Sequence, residues 1–322
     1  MFAVYAESFS NDDPLAGLVV GERPDPEVPD GWTTVTVKAA SLNHHDLWSL
    51  RGVGLKEEQL PMILGCDAAG LDEDGREVVV HAVISSPDWT GDETLDPKRS
   101  LLSERHQGTF ADRVAVPRRN VVPKPASLSF EEAACLPTAW LTAYRMLFTQ
   151  GGLKAGDTVL VQGAGGGVAT ALITLGRAAG LRVLATSRDD AKRKRALEIG
   201  AHDVFESGER LPVKVDAVME TVGKATWSHS IRSLRPGGTI VTSGTTSGPD
   251  VADAELTRIF FLQLRVIGST MGSRTDLAGL VNLLDASGAR PLVDRTLPME
   301  DARDGFAAMA EGDVFGKIVF TR

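Results

Sequence analysis

The chain has little cysteine: Cys66 and Cys135 are the only two thiols in 322 residues. Two cysteines make neither a disulfide framework nor a four-cysteine zinc site. Positive charge is also short. Lys and Arg number 34 against 43 Asp and Glu, a net charge of −9. An acidic chain has no general attraction to nucleic acid or to an anionic membrane. No apolar run approaches the ~18–20 residues that span a bilayer. The first residues lack a basic start and meet Glu7, which argues against a secretory signal. Internal repeats and low-complexity tracts are missing as well. The expectation is a soluble, reduced, cytoplasmic protein whose partner is a small-molecule substrate rather than nucleic acid or membrane.

What is present reads as ordinary globular composition, 43% hydrophobic and 24% charged. At roughly 150 residues per domain, the length suggests about two domains. Up to residue 124 the chain favours short β runs. Residues 33–39 alternate as a strand, and 77–83 form a continuous apolar run that fits a strand buried on both faces. Residues 86–106 are polar and aperiodic and read as an exposed loop. From Ser129-Phe-Glu-Glu132, a capping box, strands and helices alternate. Strands are expected at 158–162, 181–186, 215–220, 239–243 and 264–268, and helices at 168–179 and 190–199. This alternation implies a parallel sheet covered on both faces, a doubly wound α/β fold. Helices near 274–287 and 300–311 precede a last strand, Lys317 to Phe320, expected to rejoin the first domain.

Between the 158–162 strand and the next helix lies Gly163-Ala-Gly-Gly-Gly-Val-Ala169. Glycine costs roughly 0.5–1 kcal/mol relative to Ala inside regular structure. It belongs where backbone must approach a ligand closely. Strand, glycine turn and helix N-terminus together make a phosphate cradle, which places Gly166, Gly167 and Val168 against a dinucleotide. An NAD site carries an acidic residue at the end of the second strand. Here that position reads Thr186-Ser187-Arg188. A hydroxyl and a guanidinium suit the 2′-phosphate of NADPH. The competing interpretations are a capping box for Ser187-x-x-Asp190 and a solvated surface charge for Arg188.

From end to end the chain resembles the medium-chain dehydrogenase/reductase superfamily. The resemblance rests on Ser41-Leu-Asn-His-His-Asp-Leu47, Pro61-Met-Ile-Leu-Gly-Cys-Asp-Ala-Ala-Gly70 and Gly108-Thr-Phe-Ala-Asp-Arg-Val114. It continues in Leu136-Pro-Thr-Ala-Trp-Leu-Thr-Ala-Tyr144, the glycine loop, Leu234-Arg-Pro-Gly-Gly238 and Gly316-Lys-Ile-Val-Phe320. It implies a Rossmann sheet inserted in a mostly β, GroES-like barrel catalytic domain. The catalytic domain would be 1–124 with 268–322 returning to it, and the dinucleotide-binding domain 125–267. Zinc-dependent members hold their metal through Cys, His and a second Cys or an acid. The matching positions here are Asn43, Cys66 and Thr138, a poor zinc set. The chain therefore resembles the zinc-free quinone oxidoreductase branch, and no metal is expected.

Without a Lewis acid, removing hydride from an alcohol is difficult, whereas reducing a quinone or an activated C=C is easier. The resemblance implies Asn43 near the nicotinamide, its amide available to the cofactor or to a substrate carbonyl. His45 is a candidate proton donor, with a structural histidine as the alternative. Asp46 is expected to cap and orient the loop. Cofactor contacts carried over by the resemblance are His44, Thr138, Thr221, Val222, Ser243, Gly244, Thr245 and Lys317. The expected activity is NADPH-dependent reduction of quinones or α,β-unsaturated carbonyls. The alternatives are an alcohol or enoyl-thioester oxidoreductase, or a low-turnover crystallin-like or sensor protein. The resemblance also implies a homodimer through 264–270, where an apolar strand edge invites pairing.

Overall fold

The computed structural model describes residues 1–322 as two compact units. Residues 1–139, 271–285 and 290–322 form the first; 140–270 and 286–289 form the second. Segment 125–139, expected with the dinucleotide domain, folds instead with the first unit. Its helix Phe130–Ala134, capped reciprocally by Ser129 and Glu132, packs on strands Trp32–Ser41 and Asp67–Leu71.

The main sheet of the first unit runs in the order Val121–Pro123, Glu77–Val80, Asp67–Leu71, Trp32–Ser41, Lys317–Thr321, Val293–Pro298. Arg113–Pro117 adds a further pairing to Trp32–Ser41. The C-terminal strand pairs antiparallel with residues 39–41, bringing the C-terminal segment back into the sheet of the first unit. Phe110, Phe306 and Phe320 are fully buried against it, and the rings of Phe110 and Phe320 meet edge-on at 5.2 Å. The apolar 77–83 run is not one strand. It divides into Glu77–Val80 and Val83–Ile84, which belong to different sheets. The break lies at His81, whose N–H donates to Asn120 O, while Asn120 Nδ2 donates to the carbonyls of His81 and Val83. Residues 86–106 also depart from the expected exposed loop. Asp96, Ser100 and Ser103 are buried, and the Asp96 carboxylate accepts from the N–H groups of Ser86 and Lys98 at 2.6 and 2.8 Å. A buried backbone satisfied by local side chains leaves no apolar period to read.

The second unit is a six-stranded parallel sheet. Its order is Asp203–Phe205, Arg182–Thr186, Thr158–Val161, Val215–Glu220, Leu234–Thr242, Arg265–Gly268. In chain order this is 3-2-1-4-5-6, the doubly wound arrangement that binds ligands outside the carboxyl ends of its strands. Leu160, Leu184, Val218 and Ile240 are fully buried, each stabilising by about 1.5–3 kcal/mol. Helix Gly167–Ala178 lies close to the sheet because Gly176 has no side chain. A Cβ there would stand 2.9 Å from Val183 Cγ2. The 158–161, 182–186 and 215–220 strands were legible as apolar runs, as was the 239–242 part of the 234–242 strand; its start at 234–238, the short 203–205 strand and helix Trp227–Ser233 were not. No helix is long and apolar enough to cross a membrane.

Candidate active site

At the carboxyl end of Thr158–Val161 the backbone turns at Gly163, with φ +82°, and Gly166 becomes the N-cap of helix Gly167–Ala178. The first N–H groups of that helix have no intrahelical acceptor and point out of its positive end. A Cβ on Gly166 would meet nothing within 4 Å. The bare backbone here leaves open space beside the helix N-terminus, as a phosphate cradle requires.

A buried polar lattice fixes the neighbouring strand ends. Glu220 is fully buried. Its carboxylate accepts from the N–H groups of Val222 and Gly223 at 2.7 and 3.0 Å and from the hydroxyls of Thr226 and Ser230. Ser230 Oγ in turn accepts from Gln162 Nε2, and Gln162 Oε1 accepts from Thr186 Oγ1. The carbonyls of Thr221 and Val222 accept from Thr246 and Ser247. Thr221 and Val222 therefore sit where they were expected, at a strand end, but with much of their backbone polarity committed. Ser243 and Gly244 are half-buried and Thr245 is exposed, all just past the 234–242 strand.

Ser187 and Arg188 end the Arg182–Thr186 strand. The capping alternative for Ser187 does not hold, because Asp189 is the N-cap and accepts from Ala191 and Lys192 N–H. Ser187 Oγ accepts from Asp189 N at 3.2 Å, which leaves its own O–H to donate. Arg188 is exposed. One further cation was missed in the sequence. Lys192 lies over the glycine loop: a Cβ on Gly165 would meet its Cδ at 2.7 Å and its Nζ at 3.2 Å. Nothing in the chain pattern distinguishes this lysine from its neighbours in a basic helix.

In the first unit, Asn43 precedes the short helix His44–Ser49. Asp46 caps it as expected: one carboxylate oxygen accepts from Asn43 N at 2.8 Å and the other from Gly65 N at 3.0 Å. Asn43 differs from expectation. Its amide donates to Asp67 Oδ2 at 2.8 Å and to Ser41 O at 3.2 Å, so both N–H donors are committed inside the protein. Lys317 differs too. Its ammonium is 2% exposed and donates to Leu42 O and to Asn43 Oδ1 at 2.7 and 2.5 Å, with Asp67 Oδ2 at 3.4 Å. It is a buried counter-ion to Asp67. His44 is exposed. Thr138 is half-buried, and its hydroxyl oxygen is buried with no hydrogen-bond partner.

His45 faces a separate cluster. Its Nε2 lies 3.2 Å from Glu104 Oε1, its Nδ1 3.5 Å from Cys66 Sγ and 4.0 Å from Asp46 Oδ1. Burial works to lower the imidazole pKa, but Cys66, Asp46 and Glu104 outweigh it and hold it well above the ordinary histidine value. Burial pushes the Cys66 thiol up, His45 opposing. Glu104 was not legible in the sequence, 59 positions from its partner.

Residues 29–126 match the alcohol dehydrogenase GroES-like domain family, and 167–286 match the zinc-binding dehydrogenase family. A solved NAD-dependent alcohol dehydrogenase is 32% identical, with TM-score 0.92 and all of both chains covered. The chain belongs to the medium-chain dehydrogenase/reductase superfamily. It is an oxidoreductase of that superfamily, whose members use nicotinamide cofactors. Curated relatives include an acryloyl-coenzyme A reductase of Sulfurisphaera tokodaii, 26% identical over 95% of this chain and 97% of that one. A quinone oxidoreductase of Mus musculus is 27% identical over 86% of this chain and 85% of that one. The zinc implied by this superfamily does not fit the residues at its position. Asn43 Oδ1 is held by an ammonium, Cys66 Sγ faces His45, Leu102 O and Ser103, and Thr138 supplies only a neutral hydroxyl. One thiol, one amide and one hydroxyl make a weak ligand set for zinc.

Proposed function

We propose that this chain is an NADPH-dependent reductase of quinones or α,β-unsaturated carbonyl compounds that works without the family's zinc, the ion that would bridge positions 43, 66 and 138. The observation that carries this reading is the ammonium of Lys317 on Asn43 and Asp67. A cation of the chain's own already satisfies the acid and the amide beside the zinc position. Activating an alcohol for hydride loss needs a Lewis acid or an equivalent to stabilise the alkoxide. A conjugated acceptor needs less, because its own carbonyl takes up the electrons.

NADPH, when bound, supplies the hydride. The chain's contribution is position and electrostatics. The Gly167–Ala178 helix N-terminus holds the pyrophosphate, and Ser187, Arg188 and Lys192 hold the ribose 2′-phosphate. The Glu220 lattice keeps the strand ends rigid behind them. With an α,β-unsaturated carbonyl the hydride would add at the β-carbon and the α-carbon would then take a proton; with a quinone the protons would end on the two oxygens. Both ring nitrogens of His45 face acceptors of their own unit, so we assign that proton to solvent. In this reading Asn43 and Asp46 are positioning residues.

A conjugated thioester is a second reading, favoured by the similarity to acryloyl-coenzyme A reductase. It keeps the same electron flow and changes only the group attached to the carbonyl. The test is oxidation of NADPH with a panel of quinones, enones and acryloyl-coenzyme A, with primary and secondary alcohols plus NADP⁺ in the reverse direction. Turnover of a conjugated acceptor supports the proposal. Alcohol oxidation with no reduction of any conjugated acceptor would sink it.

A further inference from the structure

We propose that His45, Cys66 and Asp46 form a binding site for one thiophilic divalent cation such as zinc or cobalt, with Glu104 holding the histidine ring in place. The site shares only Cys66 with the family's zinc position. One nitrogen of His45, Cys66 Sγ and one carboxylate oxygen of Asp46 lie within 4.8 Å of one another. Zinc bonds of about 2.3 Å to sulfur and about 2.0–2.1 Å to nitrogen, at a tetrahedral angle, separate the two ligand atoms by about 3.6 Å. The observed Nδ1 to Sγ distance is 3.5 Å. For nitrogen and carboxylate oxygen the same geometry gives about 3.4 Å, against 4.0 Å observed. The Asp46 carboxylate has to move in by about 0.6 Å on the nitrogen side to complete the set, and it lies within 4.8 Å of the sulfur.

The surroundings suit a cation. Metal-bound histidines usually donate their second nitrogen to a carboxylate, which fixes the ring. Here His45 Nε2 faces Glu104 Oε1 at 3.2 Å, and Glu104 Oε2 is itself anchored by Leu101 N–H at 3.2 Å. Ser103 Oγ lies 3.6 Å from Cys66 Sγ, close enough to donate to a thiolate. Asp67 already has Lys317 as its counter-ion, whereas Asp46 and Glu104 share a single imidazole between them. Cys66 and Asp46 are buried, and the side chains of His45 and Glu104 are 21% and 27% exposed. An ion can therefore enter from the His45 side, and three protein ligands leave a fourth position for water. Loading replaces the Cys66 thiol proton, and any proton on His45 Nδ1, both released to solvent. The bound ion ties helix His44–Ser49 to the segment before strand Asp67–Leu71.

The test uses the full chain stripped with a chelator and titrated with cobalt(II) alone. The expected result is a thiolate-to-cobalt charge-transfer band with tetrahedral visible bands, saturating at one equivalent. Cys66→Ser should abolish the charge-transfer band. His45→Ala and Glu104→Gln should weaken binding by at least about 10-fold. Cys135→Ser and Thr138→Val should leave the spectrum unchanged. Glu104→Gln alters a partly exposed side chain, so it tests the site even if a buried variant misfolds. No charge-transfer band with the stripped wild-type chain overturns the proposal. So does a band that survives in Cys66→Ser, or one lost in Thr138→Val but kept in His45→Ala. The readout is spectral, so its failure is distinct from a failure to oxidise NADPH.

Discussion

Replacing Arg188 with Ala tests the assignment of cofactor preference most directly. Arg188 is exposed and makes no hydrogen bond or ion pair within the chain, so its removal breaks nothing in the fold. What it removes is a charge-assisted contact to a 2′-phosphate. Such contacts contribute about 1.5–3 kcal/mol. An exposed guanidinium belongs at the lower end, because water and salt screen it, and Lys192 remains nearby at the glycine loop. A loss of about 1.5 kcal/mol is roughly a 10-fold rise in Kd for NADPH. NADH lacks the phosphate and should change by less than about twofold. The assay is a fluorescence titration of both nucleotides against both proteins at one fixed ionic strength. The preference for NADPH in the unmutated chain should also shrink as salt is raised. Equal affinities for NADPH and NADH before mutation would refute the reasoning, as would an equal loss for both nucleotides in the variant.

Gly166→Ala adds a methyl that meets nothing within 4 Å; Tm should hold while NADPH affinity falls by about 10-fold, and a lowered Tm with intact binding would contradict the cradle. Lys317→Met strips the ammonium from the buried Asp67 carboxylate and should cost about 3–5 kcal/mol of stability, as breaking buried pairs does; Asp67→Asn in the same background should restore part of it in denaturant titrations. Burial works to raise the Asp216 carboxyl pKa, but the Thr158 N–H at 2.7 Å and Arg235 at 2.6 Å outweigh it and hold it below the usual carboxylate range. A depressed folded pKa stabilises above the unfolded value of about 3.9 and is lost as pH falls through the folded value. Asp216→Asn should therefore cost about 1 kcal/mol at neutral pH, with the gap to wild type closing below about pH 4; a gap independent of pH would count against this. Arg265–Gly268 ends its sheet with Val266 46% exposed, so light scattering should give twice the 34.3 kDa chain mass and Val266→Glu should shift it toward the single chain; a single-chain mass that persists as concentration rises would remove the dimer.

The second unit was legible because its chemistry is local. Parallel strands buried on both faces read as continuous apolar runs, and glycines between a strand and a helix announce close backbone approach. Asp46 was readable as a cap because cap and backbone are three residues apart. The misreadings in the candidate site are long-range. Lys317 lies 250 positions from Asp67, so nothing near it in the sequence announces a buried counter-ion. The amide of Asn43 was expected to be free because its acceptors, Ser41 O and Asp67, come together only when strands 32–41 and 67–71 pair. In 86–106 the buried side chains are polar and locally satisfied, which imitates a loop in any hydrophobicity pattern.

Two of these long-range clusters share the same pair of chain segments, and that sharing explains how the family's zinc position came apart. Cys66 and Asp67 are neighbours, the second opening an extended strand, and successive side chains of extended chain point to opposite sides. Asp67 meets Asn43 and Lys317; Cys66 meets His45, Leu102 and Ser103. On the other segment, Asn43 and His45 divide in the same way about the capping carboxylate of Asp46. Each side has settled its own charge, one with a buried ammonium and the other with an imidazole between two carboxylates. A metal bridging Asn43 and Cys66 would have to displace Lys317 from one side and break the His45 contact on the other. A cation between His45, Cys66 and Asp46 disturbs neither the ammonium nor the cap, because Asp46 keeps an oxygen for Asn43 N and needs only to share the other.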